Sequence, residues 1–199
     1  MTHEPYPWKT TTPVKYGYQQ ERWLKYEKVL KKWNRLWALL VVQDDQLLVE
    51  KYFGGATKYS TFNVHSVTKS ITSALVGLAI QRQDINSEHD LMVPCFPEYQ
   101  PSIIHGYKRA LTIVHLLAMR GGWGGEGGIQ TVARCLTQEP LRVLPGTEFK
   151  YFTGSQNILS AIITKKTHMS TKEFADKALF QPLGIKNTFW FAANRSNKA

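Results

Sequence analysis

The chain has 199 residues, of which 43% are hydrophobic and 20% charged, so it is long and apolar enough to fold around one core. This composition excludes an intrinsically disordered chain, and the longest purely apolar run, residues 36–42, is too short for a transmembrane helix. The net charge of +10 could attract nucleic acid or an anionic membrane, but the basic residues are scattered apart from one segment near the N-terminus. No nucleic-acid partner is therefore predicted.

The N-terminus and the cysteines indicate the compartment. The opening MTHEPYPWKTTTP lacks the apolar region of a secretory signal, so a cytoplasmic protein is expected. Cys95 and Cys135 are the only cysteines and belong to no CxxC pair, so we expect two ordinary buried thiols, although a disulfide stays open. The sequence predicts no particular oligomeric state.

Residues 1–36 form a leading region with two parts. Residues 1–19 are rich in Thr, Pro, Tyr and Gly and are predicted to be an irregular arm. Residues 20–37 have the spacing of a helix whose aromatic and apolar stripe is surrounded by basic residues; the stripe consists of Trp23, Tyr26, Leu30, Trp33 and Trp37. The pattern fits a surface helix packed through this stripe, and it also fits a helix that binds a membrane surface or an acidic partner.

A β-hairpin follows. Residues 38–42 and 47–53 are β-prone runs separated by a four-residue polar segment. Within that segment Asp44 and Asp45 could be a catalytic carboxylate pair, but aspartate is also favoured in tight turns. We interpret both as turn residues.

Residues 65–83 are predicted to form the helix around which the rest is organised. Its apolar residues recur with helical spacing and define a buried face, made of Val67, Ile71, Ala74, Leu75 and Leu78. Ser66 and Lys69 stand at the opening of this helix, three positions apart and on one side. A lysine in that place can take the proton of a serine hydroxyl, and the free N–H groups of a helix N-terminus can stabilise an oxyanion.

The tetrapeptide Ser-x-x-Lys is a weak signal by itself. A serine that caps the helix beside a solvated lysine would give the same four residues. The segment around it raises the weight of the catalytic interpretation, because a strongly periodic apolar helix follows the motif and a hairpin precedes it.

The second half is predicted to be mainly helical, with helices at residues 113–119 (capped by Thr112), 129–138, 155–165 and 171–180 (capped by Ser170), and a short strand at residues 187–191. Residues 120–128 include Gly122, Gly124 and Gly127 in GxGxxG spacing. A helix precedes these glycines where a dinucleotide site needs a strand, so we reject that site and predict a flexible loop beside a cleft. The histidines show no HxxxH or HExxH spacing, and neither a metal nor another cofactor is predicted.

Several segments in this order resemble the serine β-lactamase and penicillin-binding-protein superfamily. They are ALLVVQDDQLLVEKYFGG, NVHSVTKSITSALVGLAI, LTIVHLLAMRGG, LPGTEFKYFTGSQNILSAIITKKT and FADKALFQPLGI. The nearest group resembles the class C β-lactamase-related serine hydrolases, which include esterases and 6-aminohexanoate-oligomer hydrolases. The resemblance implies an α+β fold of the α/β-sandwich type, with helices packed on an antiparallel sheet, and it assigns residues 37–199 to the hydrolase domain.

The same resemblance implies the site residues. Ser66 would be the acylated nucleophile, Lys69 its partner, and Tyr151 the tyrosine of the family's Tyr-x-Asn or Tyr-x-Ser motif. Thr153 stands at the third position of that motif as a substrate-binding residue, where it keeps a hydroxyl but departs from Asn. That departure counts against hydrolysis of β-lactams in particular.

The family's third motif, on a strand that follows the PLGI segment, has no counterpart in the sequence, so the resemblance implies a C-terminally incomplete domain. Two functions stay open. One is a serine hydrolase that acylates Ser66 from a small ester or amide; the other is a truncated, non-catalytic member that binds a ligand or partner.

Overall fold

The computed structural model describes residues 8–99, 106–125, 131–186 and 188–190. Contacts divide the chain into two compact units, residues 1–63 and 64–199, which are described separately below. The N-terminal arm belongs to the first unit, in which it pairs with the hairpin. The predicted boundary after residue 36, which followed the start of the family resemblance, stays a prediction.

The first unit contains a three-stranded sheet in the order β1-β3-β2. β2 (Ala38–Gln43) and β3 (Gln46–Tyr52) form the predicted antiparallel hairpin, with Ala38 opposite Tyr52. β1 (Lys9–Thr10) runs parallel to β3 at its other edge, so the sheet is mixed rather than purely antiparallel. The arm is thus more regular than predicted, since a short 3-10 helix, Pro13–Tyr16, follows β1.

The hairpin turn consists of Asp44 and Asp45. Both have positive φ angles, 49° and 56°, which is the backbone that a two-residue turn between right-twisted strands requires. Aspartate tolerates this conformation better than most residues. Their interpretation as turn residues is confirmed.

The predicted helix over residues 20–37 is too long. α1 spans Gln20–Leu30, and its last turn tightens as the N–H of Trp33 bonds to the carbonyl of Leu30. Trp37 instead extends the hairpin, because its carbonyl accepts a bond from the N–H of Phe53. The predicted packed stripe is also wrong: Trp33 is 59% exposed and Trp37 50% exposed.

The regular secondary structure of the second unit consists of helices and two isolated β-bridges within the described residues. A 3-10 turn, His65–Val67, leads into α2 (Thr68–Gln81). The other α-helices are α3 (Ile113–Leu117), α4 (Val132–Thr137), α5 (Thr153–Thr167) and α6 (Thr171–Ala175); α6 continues into a π-helical turn, Asp176–Phe180, and further 3-10 turns lie at Val93–Cys95 and Gly106–Ala110. With the sheet of the first unit, these helices give the expected mixed α+β class.

The core of the second unit is built around α5, which contacts α2, α3, α4 and α6. Its inward residues Ile158, Leu159, Ile162 and Ile163 are buried. Cys95 and Cys135 are buried and are not joined in a disulfide, as predicted. This arrangement fixes the N-terminal ends of α2 and α5, where the predicted site residues lie.

The buried face of α2 differs from the predicted one. Thr72, Leu75, Val76 and Ala79 are buried, whereas the predicted Val67 and Ala74 are exposed. Of the other predicted residues, Leu75 is buried, and Ile71 and Leu78 are half-buried and pack against the core. Because α2 carries apolar residues on several sides, periodicity alone could not fix which side faces the core.

The remaining predictions differ mainly in their bounds. The predicted cap of α6 is confirmed, since Ser170 Oγ accepts the N–H of Glu173 at 3.2 Å. α5 begins at Thr153, two residues earlier than predicted, and α4 is shorter than residues 129–138, of which 129 and 130 lie outside the described residues. Of the predicted strand over 187–191, residues 188–190 are described and form no strand. In the part of the chain that is described, no helix has both the length and the apolar character needed to cross a membrane.

Candidate active site

Ser66 lies in a 3-10 turn rather than in regular α-helix. The turn His65–Val67 is closed by a 3.0 Å bond from the N–H of Val67 to the carbonyl of Val64, and α2 begins at Thr68. His65 has a φ angle of 44°, a left-handed conformation that is uncommon for a residue with a side chain. Such residues concentrate at functional sites, so the backbone just before Ser66 is a feature that sequence reasoning missed.

Lys69 is close to the Ser66 hydroxyl, at the distance that the three-residue spacing predicted. Its Nζ donates a hydrogen bond of 3.1 Å to Ser66 Oγ. The Lys69 side chain is half-buried, because it starts in the first turn of α2 and folds back toward the preceding 3-10 turn. This contact excludes the alternative in which Lys69 extends into solvent away from Ser66.

Tyr151 joins the same site from 85 positions along the chain. Its hydroxyl donates a 2.8 Å hydrogen bond to Ser66 Oγ, and the Lys69 Nζ lies 4.9 Å from the centre of its ring. Two proton-carrying groups therefore contact one serine oxygen. Ser66 is exposed and Tyr151 is 43% exposed, so the oxygen is accessible from outside the second unit's core.

The backbone around Tyr151 is held by buried neighbours. Phe152 is buried and stacks on the ring of Trp123, with 4.8 Å between ring centres and 15° between planes. The N–H of Lys150 bonds to the carbonyl of Met119 at 2.9 Å. These contacts fix the residues on both sides of Tyr151, so that its side chain can reach Ser66.

Trp123 also corrects the prediction for the glycine-rich segment. The described part of that segment ends at Gly125, and in it Trp123 is only 3% exposed. A Cβ at Gly121 would lie 2.2 Å from the Trp123 ring, so glycine is needed there for close packing. The segment was predicted to be a flexible loop, but Gly121, Gly122 and Trp123 are buried, whereas Gly124 is exposed.

Thr153, the fourth predicted site residue, is the first residue of α5 and lies two positions after Tyr151. It is half-buried. Its role in substrate binding stays a prediction.

No group of three or more His, Cys, Asp or Glu side chains within the described residues could hold a metal ion. The three residues at the site are oxygen and amine groups suited to proton transfer. The chemistry that they can support is nucleophilic attack by Ser66.

Two pockets of the second unit have walls that include none of Ser66, Lys69 and Tyr151 among the residues described. One, of about 310 Å³, is lined in part by Lys108, whose pKa is lowered by burial and whose Nζ donates a 2.9 Å bond to the carbonyl of Leu136. Because that carbonyl belongs to the last turn of α4, Lys108 caps this helix. The other pocket, of about 460 Å³, is lined mainly by charged residues and glycines.

Comparison with known proteins gives one consistent result. The β-lactamase family model matches residues 35–198. A D-aminopeptidase of Gluconobacter oxydans is 23% identical over 176 residues, which cover 80% of this chain and 33% of the relative.

Solved structures agree at the level of fold. A candidate β-lactamase from Bacteroides dorei superposes with a TM-score of 0.72 at 18% identity, covering 84% of this chain and 52% of the other. The octameric penicillin-binding protein homologue of Pyrococcus abyssi gives a TM-score of 0.69 at 20% identity, covering 87% and 45%. The chain thus spans about a third of the curated relative and about half of each solved neighbour.

Proposed function

Because the chain belongs to the β-lactamase family, we propose that it is a serine hydrolase in which Ser66 is acylated with the help of Lys69 and Tyr151. The observation that carries the proposal is the pair of contacts to one oxygen. Ser66 Oγ is 3.1 Å from Lys69 Nζ and 2.8 Å from the Tyr151 hydroxyl.

Acylation would use one of these two contacts for proton transfer. One of the two partners first gives up its proton, so that Ser66 Oγ donates a hydrogen bond to it rather than accepting one. As Oγ forms a bond to the carbonyl carbon, its proton passes to that partner. The proton then goes to the leaving alkoxide or amine when the old bond to the carbonyl carbon breaks.

Deacylation would reverse the roles with water. A water molecule attacks the acyl carbon and loses a proton to the free base, the bond from Ser66 Oγ to the acyl carbon breaks, and Oγ takes a proton back. The products are a carboxylic acid and the regenerated enzyme. Both steps also pass through an oxyanion that needs N–H donors, and the N–H groups of Val67 and Thr68 are already bonded to backbone carbonyls.

The substrate class that we propose is a small ester or amide. The three side chains of the site do not distinguish an ester from an amide, because both have an acyl carbon that a serine can attack. The name of the Gluconobacter relative favours an amide next to a D-residue as the first substrate to test. The non-catalytic alternative is not favoured, since Ser66, Lys69 and Tyr151 are all present and in contact.

The test is covalent labelling with a fluorophosphonate, measured by intact mass. We expect one adduct on the parent chain and none on Ser66→Ala. Ser70→Ala is the matched control, because Ser70 is exposed one turn further along α2 and should leave labelling unchanged. An adduct that persists on Ser66→Ala would show that another residue is the nucleophile, and the proposal would be wrong.

A further inference from the structure

The second pocket of the second unit is lined by more basic than acidic side chains. Arg134, Arg142 and Lys150 line its wall together with one carboxylate, that of Glu139. Glu139 is already paired, because its Oε1 lies 2.6 Å from Arg134 Nε. Among the described residues neither Arg142 nor Lys150 has an ionic partner, so two cations face the pocket in excess.

The excess cations lie close to the backbone of two glycines. A Cβ at Gly124 would lie 2.5 Å from Arg142 Nε, and a Cβ at Gly125 would lie 3.1 Å from Lys150 Cε. Only glycine lets the Arg142 side chain lie this close to the main chain. Of the glycines that formally match a dinucleotide motif, Gly124 thus has a different use, which is to make room for the Arg142 side chain.

The backbone that carries these residues is also paired. The N–H of Arg142 donates a 2.7 Å bond to the carbonyl of Gly122, and Trp123 and Leu141 form an antiparallel bridge. Trp123 is buried in the core, so the glycine segment and the Arg142 segment are tied to one another and to the core. The backbone that carries Arg142 is therefore fixed, while the side chains of Arg142 and Lys150 are exposed to an incoming ligand.

We infer that this pocket binds an oxyanion, a carboxylate or phosphate group, through Arg142 and Lys150. A guanidinium presents several donors in one plane and suits bidentate contact with such a group, while an ammonium adds a point charge. The volume of about 460 Å³ accommodates a small molecule that bears the anion. The anion is either free or carried by the substrate of Ser66, and only the second case rests on the proposed function.

The binding test uses inorganic phosphate titrated by calorimetry at constant ionic strength, so that general screening does not change. We expect saturable binding to the parent chain that is weakened about tenfold or more in Arg142→Gln, the usual scale for a lost bond to a charged group. Gly124→Ala should weaken it similarly with the net charge unchanged, because the new Cβ displaces the Arg142 side chain. Lys177→Gln is the charge-matched control, since Lys177 is exposed and lies outside the pocket wall.

The source of the anion is tested by hydrolysis of p-nitrophenyl hemisuccinate and p-nitrophenyl butyrate, which differ in a terminal carboxylate. If the anion belongs to the substrate, Arg142→Gln raises KM for the hemisuccinate about tenfold and leaves KM for the butyrate unchanged. If Arg142→Gln loses phosphate binding while both KM values stay the same, the pocket binds a free anion that is not part of the substrate. The inference is overturned if Arg142→Gln and Lys177→Gln have the same phosphate affinity and the same KM values for both esters. If the parent chain hydrolyses neither ester, phosphate affinity alone decides.

Discussion

Removal of the Tyr151 hydroxyl should separate proton transfer from the other roles of this side chain. Tyr151→Phe deletes the 2.8 Å bond to Ser66 Oγ but keeps the ring that lies 4.9 Å from Lys69 Nζ. Because the neighbouring Phe152 carries the packing on Trp123, the backbone should keep its position. The change therefore removes one proton carrier and little else.

The expected magnitude is that of a lost general acid or base. Such groups contribute about 10²- to 10⁴-fold in rate, which corresponds to about 3–5 kcal/mol of activation free energy. The cation–π contact between Lys69 and the ring is worth about 0.5–1 kcal/mol at an exposed site, and phenylalanine retains it. A fall of about a hundredfold or more thus reports on the hydroxyl.

The assay is the pre-steady-state release of p-nitrophenol from p-nitrophenyl acetate, compared among the parent chain, Tyr151→Phe, Lys69→Met and the double variant. Since both side chains contact the same Ser66 oxygen, the double variant should lose much less than the product of the two single losses. The reasoning is refuted if Tyr151→Phe reacts within a factor of about three of the parent, well below the range for a lost acid or base. Unfolding in urea serves as the control that the variants are folded.

Three further predictions concern stability, each measured by urea unfolding. Gly121→Ala should cost about 1–3 kcal/mol, because its Cβ would overlap the Trp123 ring, whereas Gly77→Ala, with open space around its Cβ, should gain about 0.5–1 kcal/mol; equal effects would contradict this packing. Burial raises the pKa of Cys135 from 9.0 to about 12. The neutral thiol of the folded state therefore contributes to the free energy of unfolding below pH 9, and this contribution is lost as pH rises toward 12. Between pH 8 and 11, Cys135→Ala should lose less stability than the parent chain. Ser170→Ala should cost about 1 kcal/mol through loss of the first-turn bond of α6, and no change would mean that the cap is not needed.

Local patterns predicted part of the fold and of the site. The spacing of Ser66 and Lys69 indicated their proximity, because three residues bring two side chains to one side of a helical turn. Asp44 and Asp45 were recognised as turn residues for a similarly local reason, since the hairpin joins strands that are adjacent in sequence. N-cap residues such as Ser170 act within one helical turn, so they too could be predicted from the local sequence.

Contacts between distant segments could not be derived from local patterns. The placement of Tyr151 beside Ser66 was expected from the family resemblance alone, because no periodicity links residues 85 positions apart. The pairing of β1 with β3 involves two residues of an arm that lacks strand-like alternation. Trp123 shows the same limit, since its burial depends on Phe152, which follows in a later segment.

The left-handed backbone at His65 couples the folding free energy to the position of the proposed nucleophile, Ser66. A residue with a side chain in this conformation costs about 1–3 kcal/mol, and that cost falls on the residue just before Ser66. His65→Gly would relax the turn, yet it would also widen the range of backbone angles from which Ser66 is presented to Lys69 and Tyr151. Selection for thermal stability alone would favour His65→Gly. Selection for turnover would instead keep a residue with a side chain at position 65.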